Sequence, residues 1–148
     1  MTEQCPGDDE VFSHFHDVQI DRDNIEHYRG LMAGRLLINR CQDCGQWIYP
    51  HRPMCPQCLS WNVVPTQVSG RGTLYMFTLL QQSRDPDCPL LEPMQVAAIE
   101  LAEQAGLRYL SQVVDCPEEA LRHDMPVELA WVEHAGRRWP AFRPVRGE

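Results

Sequence analysis

Apolar and polar positions follow two rhythms along this chain, and the change falls near Thr66. Before it, Ile25, Tyr28, Met32 and Leu36 recur three or four residues apart, which predicts one amphipathic helix beginning at Asp23. Asp23 and Glu26 stand at the spacing of a capping box, with Asp in the place of Ser or Thr. Gly30 and Gly34 lie four apart on that predicted helix, and each costs up to about 1 kcal/mol of helix propensity relative to Ala. Either that face packs closely against something, or the helix is a marginal surface element. Residues 1–20 carry only a weak apolar pattern in Val11, Phe12, Phe15, Val18 and Ile20 and read as an acidic tail.

After Thr66 the pattern becomes that of strands. Residues 72–80, 94–101, 107–114 and 126–133 are rich in β-formers, and a last strand runs from Trp139 to Val145. In the fourth run Val127, Leu129 and Trp131 alternate with Glu128 and Ala130. Residues 81–93, with Pro86, Pro89 and Pro93, read as a loop, and Glu103 to Gly106 as a turn. Pro117 followed by Glu118 and Glu119 suits one helical turn over 117–122. Five strands with a short helix before the fourth predict a small closed or partly open barrel, with the OB-fold leading. The fold class is mainly β. The chain divides into an acidic tail (1–20), a helical segment (21–38), a cysteine-rich segment (39–62) and a barrel (63–148).

The cysteine-rich segment carries the clearest chemistry. Cys41-x2-Cys44 and Cys55-x2-Cys58 are separated by ten residues, a strong metal-site signal. The turns around them (Cys44-Gly45, Tyr49-Pro50, Arg52-Pro53, Cys55-Pro56) leave room for two short hairpins. Four thiolates complete a tetrahedron around one Zn2+ and leave no position for substrate, so the ion is expected to be structural. The donor set by itself admits iron as well. His51 lies between the pairs but is not needed as a ligand and is expected at the surface. Cys5, Cys88 and Cys116 each precede a proline and are expected to be bystanders.

Charge sharpens this division. The net charge of −8 is distributed as −7 over residues 1–28, +5 over 29–84 and −6 over 85–148. All 13 basic residues are arginine, which suits bidentate contacts to phosphate or carboxylate but also follows from arginine-rich codon usage. The middle third would attract a small anion, while the whole chain would repel a polyanion.

Several function classes find no support. The sequence contains no Gly-rich phosphate loop, GxSxG elbow or HExxH. His14 and His16 fit an exposed tail, and Asp85 and Asp87 a solvated loop, better than they fit catalysis. No apolar run approaches the roughly 20 residues that span a bilayer. The acidic N-terminus does not resemble a secretory signal, so the expected location is cytoplasmic.

The motifs occur in a telling order: Arg35-Leu36-Leu37, then Arg40-Cys41-x-x-Cys44-Gly45, then Tyr49-Pro50-x-Arg52-x-x-Cys55-Pro56-x-Cys58 and Trp61. Gly70-Arg71-Gly72-Thr73-Leu74-Tyr75, Met125-Pro126-Val127-Glu128 and Pro140-x-Phe142-x-Pro144 follow. From about residue 23 to 145 this resembles the zinc-ribbon/OB-fold family known as domain of unknown function 35. Residues 1–20 fall outside the shared pattern, and His123-Asp124 precede Met125 where the family often has glycine. The resemblance implies a rubredoxin-like ribbon followed by an OB-fold. It also implies a non-catalytic subunit of a thiolase-fold or hotdog-fold acyl-CoA enzyme, for instance a steroid side-chain aldolase. Such a subunit would stabilise its partner and help form the channel for the CoA ester, with two copies of each chain. Arg35, Arg40, Arg52 and Arg71 are then candidates to contact the CoA phosphates, or to form ion pairs with an acidic partner surface.

Two other functions compete with this one. OB-folds and zinc ribbons also bind single-stranded nucleic acid, for which Tyr75 and Phe77, two apart on a strand, would supply stacking rings on one side. A free-standing enzyme would need a nucleophile and base that the sequence does not display.

Overall fold

The computed structural model describes residues 5–81, 85–87 and 93–146. Cys88 and Pro89 of the expected loop lie outside the described residues. The chain divides into two compact units, Met1–Ser69 with Trp131–Pro140, and Gly70–Ala130 with Ala141–Glu148.

The first unit opens with a helix inside the segment read as a tail. Helix α1 spans Asp8–His14, with Asp8, Asp9 and Glu10 in its first turn, where negative charge suits the helix dipole. Val11 and Phe15, four residues apart, are 0% and 1% exposed, and the Phe15 ring lies 5.1 Å from Tyr28 and 5.5 Å from Trp139. Two arginines hold the acids in place. Arg29 pairs with Asp8 and Glu26 and donates to the Pro6 carbonyl, and Arg137 grips both oxygens of Asp17. That grip brings the Asp17 carboxyl down to about 2.

Helix α2 spans Ile25–Met32, and its start is organised by Asp21 rather than by the expected Asp23 box. The Asp21 carboxylate accepts from the Asp23 and Asn24 amides at 2.8 and 3.1 Å. The helix ends in a Schellman motif: Gly34 N–H donates to Leu31 O at 3.1 Å and Arg35 N–H to Gly30 O at 2.8 Å. Gly34, at φ +73°, therefore lies beyond the helix as its left-handed cap. Gly30 is packed from within the chain, because a Cβ there would sit 2.8 Å from the Arg35 carbonyl and 2.9 Å from Leu37 Cγ.

Strand β1 (Leu37–Cys41) pairs antiparallel with β2 (Trp47–Ile48) on one side and β3 (Val63–Gln67) on the other. The second expected hairpin is absent. Cys55 to Cys58 form a turn without paired strands, and β3, a strand that the sequence pattern does not announce, edges this small sheet.

The second unit is built on β4 (Arg71–Leu80), β5 (Met94–Leu101) and β6 (Arg108–Ser111). A 3-10 turn, Glu118–Ala120, precedes β7 (Pro126–His134), and β8 (Arg137–Pro144) follows. The antiparallel order is β6-β5-β4-β7-β8. A parallel bridge from Val113 to Phe142, with Val114 N–H donating to Phe142 O at 2.7 Å and Phe142 N–H to Gln112 O at 2.9 Å, draws the ends together, as in an OB-fold. Leu74, Ile99, Leu101, Val127 and Phe142 fill the interior. Gly72 is required there, since a Cβ would lie 2.4 Å from the Glu100 carbonyl oxygen. Among the described residues, no helix is long and apolar enough to cross a membrane.

Candidate metal centre

Two similar turns present the four cysteines. In the first, Cys41 N–H donates to Gln46 O at 2.8 Å and Gly45 N–H to Cys41 O at 3.0 Å. In the second, Cys55 N–H donates to Ser60 O and Leu59 N–H to Cys55 O, both at 2.9 Å. The residue after each second cysteine has a left-handed backbone: Gly45 at φ +80° and Leu59 at φ +62°. Glycine at position 45 is readable as a turn signal. Leucine at position 59 is not, so the twin geometry is hidden on that side.

The turns bring the Sγ atoms of Cys41, Cys44, Cys55 and Cys58 within 4.8 Å of one another. Cys41 and Cys58 approach to 3.5 Å, and Cys44 and Cys55 to 3.6 Å. Sulfurs bound at about 2.3 Å around one ion would stand about 3.8 Å apart, so the cage fits a single tetrahedral ion. Cys41 and Cys55 are buried beside Ile48 and Val63, while Cys44 and Cys58 face outward. Peptide N–H groups point at the sulfurs and favour thiolate. The Cys44 and Asp43 amides bring Cys41 down to about 7 despite its burial. At Cys58 the Ser60 amide works in the same direction, but burial and the neighbouring thiols outweigh it and push the thiol up to about 12. Four thiolates this close repel one another, and a doubly charged cation is the counter-charge that lets all four ionise.

A polar clasp outside the cage escaped the sequence reading. Asp43, between the first two cysteines, accepts from the Ser60 hydroxyl and, at 3.3 Å, from the Asn62 amide, while Gln42 N–H donates to Asn62 O at 2.8 Å. These bonds tie the first turn to the segment that follows the second. The Ser60 and Asn62 bonds hold the Asp43 carboxyl below its usual range.

The other candidates are distributed more widely. His51 is half-buried rather than superficial, with Nε2 3.4 Å from the Leu37 carbonyl and its ring 4.9 Å from that of His27. It is not part of the thiol cluster. Burial, with some repulsion from His51, lowers His27 to about 3. Arg40 belongs to the ribbon itself, donating to Gly45 O at 3.2 Å and covering the Trp47 ring at 4.9 Å. Arg35 and Arg52 are exposed in the first unit, and Arg71 is exposed in the second. Arg52 shares with Asn39 and Trp61 a hollow of about 380 Å³. Cys5 and Cys116 are free thiols and do not belong to the four-sulfur cluster.

Tyr75 and Phe77 do not share a face. The β4–β5 register slips between Leu74 and Met76, a bulge that resets the alternation. Phe77 consequently lies opposite buried Ala97, on the face of Leu74 and Ile99, while Tyr75 is outside with Arg108 3.6 Å above its ring.

Comparison with known proteins accords with these observations. Residues 29–64 match the ChsH2 rubredoxin-like zinc ribbon domain and residues 65–132 the ChsH2 C-terminal OB-fold domain. A DUF35 domain-containing scaffold protein of Methanocaldococcus jannaschii is 33% identical over 113 residues, covering 75% of this chain and 78% of that protein. A probable enoyl-CoA hydratase alpha subunit of Thermomonospora curvata is 32% identical over 128 residues, which is 85% of this chain. The chain spans only 39% of that protein's length. Among solved structures, a chain of an Ltp2-ChsH2(DUF35) aldolase superposes with a TM-score of 0.74 at 30% identity, covering 86% of this chain and 98% of that one. A rubredoxin-like zinc ribbon with four cysteines positioned for one metal ion, followed by an OB-fold, places this chain in the DUF35 family of ChsH2-like proteins.

Proposed function

We propose that this chain is a non-catalytic subunit that binds a thiolase-fold acyl-CoA enzyme, stabilises it and helps to form its CoA-ester channel. The observation that carries this reading is the superposition over 98% of a chain from a two-component aldolase, at 30% identity. The scaffold designation of the Methanocaldococcus jannaschii relative supports a non-catalytic role, and the enoyl-CoA hydratase designation of the Thermomonospora curvata relative supports an acyl-CoA setting without favouring a thiolase fold. Within the chain, a closed thiolate cage leaves its ion no position for substrate, so the ion would cross-link two turns and not take part in turnover. A steroid or related lipid side chain is the proposed acyl group, and two copies of each chain the proposed assembly. Arg35, Arg52 and Arg71, exposed as they are, are the proposed contacts to CoA phosphates. Arg40 is proposed to act there only at its outer edge, because Gly45 and Trp47 engage it.

The test is co-expression with a thiolase-fold acyl-CoA enzyme from the same organism, followed by size-exclusion chromatography and a thioester cleavage assay. The expected result is co-elution of both chains, with turnover only by the complex or the partner. Separate elution of the two chains, or consumption of an acyl-CoA by this chain alone, would overturn the proposal.

A further inference from the structure

The outer surface of the barrel sheet is apolar where it should be polar. Once the bulge at Tyr75 has reset β4, Met76, Thr78 and Leu80 point outward. The register sets Met76 opposite Ala98 and Ala98 opposite Leu110, across three strands. The next rungs are Thr78 with Val96 and Leu80 with Met94. Met76 is 53% exposed, Leu110 64%, Met94 47% and Leu80 40%. A half-solvated antiparallel sheet normally carries polar side chains on this face, and a contiguous exposed apolar patch marks an interaction site. At one end the Arg108 guanidinium lies on Tyr75 and pairs with Glu100 at 3.6 Å, so the charges at this edge neutralise each other. Methionine, tyrosine and arginine at the centre and edge of such a patch form the composition of a protein interface.

We infer that this outward face of β4, β5 and β6 is the docking surface for the partner enzyme, which covers it with an uncharged apolar patch rimmed by basic residues. The inference rests on the proposed function and names the surface that function uses. Charge selects the occupant. The second unit carries six arginines and eleven acids, a net −5, around a face that is itself neutral. A second copy would bring another −5 against it, and an anionic membrane or nucleic acid would be repelled. A partner with a neutral centre and basic rim meets neither penalty.

The experiment uses the full chain and the thiolase-fold enzyme that the co-expression test above employs, with affinity read by calorimetry and self-association by sedimentation velocity. The variant is Met76→Glu with Leu110→Glu, and Met76→Ala with Leu110→Ala is made alongside in case the charged pair impairs folding. Zinc content and thermal melting verify that each variant is folded. The expected result is that wild type binds and that the folded variant binds at least about 30-fold more weakly. Wild-type binding with variant affinity unchanged overturns this surface while leaving the proposed function standing. Failure of wild type to bind overturns both. A wild-type dimer that the variant dissociates assigns the face to a second copy and overturns the inference.

Discussion

Replacing Phe15 with Ala tests whether the N-terminal segment is part of the first unit's core. Phe15 is 1% exposed and its ring meets those of Tyr28 and Trp139 at 5.1 and 5.5 Å. The Arg137 guanidinium lies 5.8 Å from the same ring. Truncation removes the burial of one aromatic side chain and leaves a cavity among groups fixed by α2 and by the Arg137–Asp17 pair. Losses for Phe→Ala in cores run at about 3–5 kcal/mol. A helix as short as α1 can retreat and refill part of the gap, so the expectation is about 3 kcal/mol. That is a large share of the roughly 5–15 kcal/mol that holds a domain together. Phe12, three positions earlier and 46% exposed, is the internal control, and Phe12→Ala should change stability by less than about 0.5 kcal/mol. Urea denaturation followed by tryptophan fluorescence, with zinc content checked for each protein, reads both. A Phe15→Ala loss under 1 kcal/mol, or equal losses for the two variants, would refute the packing of this segment.

Two further predictions concern the barrel and the helix. Gly72→Ala would force a Cβ to within 2.4 Å of the Glu100 carbonyl oxygen and 3.0 Å of Ile99 Cγ2. Relief requires β4 and β5 to part, at about 1–3 kcal/mol, and a melting temperature equal to that of wild type would contradict this approach of the two backbones. His27, lowered from 6.5 to about 3 by burial and then by His51, takes up its proton more readily in the unfolded chain. Stability is therefore complete above about pH 6.5 and falls towards pH 3, by up to about 1.4 kcal/mol per pH unit. The urea midpoint of wild type should decline between pH 6.5 and 5 more steeply than that of His27→Gln, and equal slopes would show that His27 is not held neutral by burial.

The barrel strands were legible because each carries its own period-two signal: the expected runs 72–80, 94–101 and 126–133 differ by only a residue from Arg71–Leu80, Met94–Leu101 and Pro126–His134. The cage was legible because CxxC spacing constrains the chain locally. What escaped depends on residues far apart. Phe15 looks like an isolated apolar position until Trp139 and Tyr28 cover it, and Asp17 looks like tail charge until Arg137, 120 residues away, binds it. The β7–β8 turn at Ala135 (φ +54°) and Gly136 (φ +75°) lacks the Asn-Gly signature of a two-residue hairpin. The extra residue of a bulge has no composition of its own, so the sequence placed Tyr75 and Phe77 on one face. Asp43 was overlooked because its role appears only when Ser60 and Asn62 fold back to it.

The most direct measurement is the metal content of the purified chain, by mass spectrometry of the native protein and by elemental analysis. The thiolate cage predicts one zinc per chain, lost together with ribbon structure when Cys44 or Cys55 is changed to Ser and retained when Cys116 is. Substoichiometric zinc in the wild type, or a Cys55→Ser protein that keeps both its ion and its stability, would contradict it.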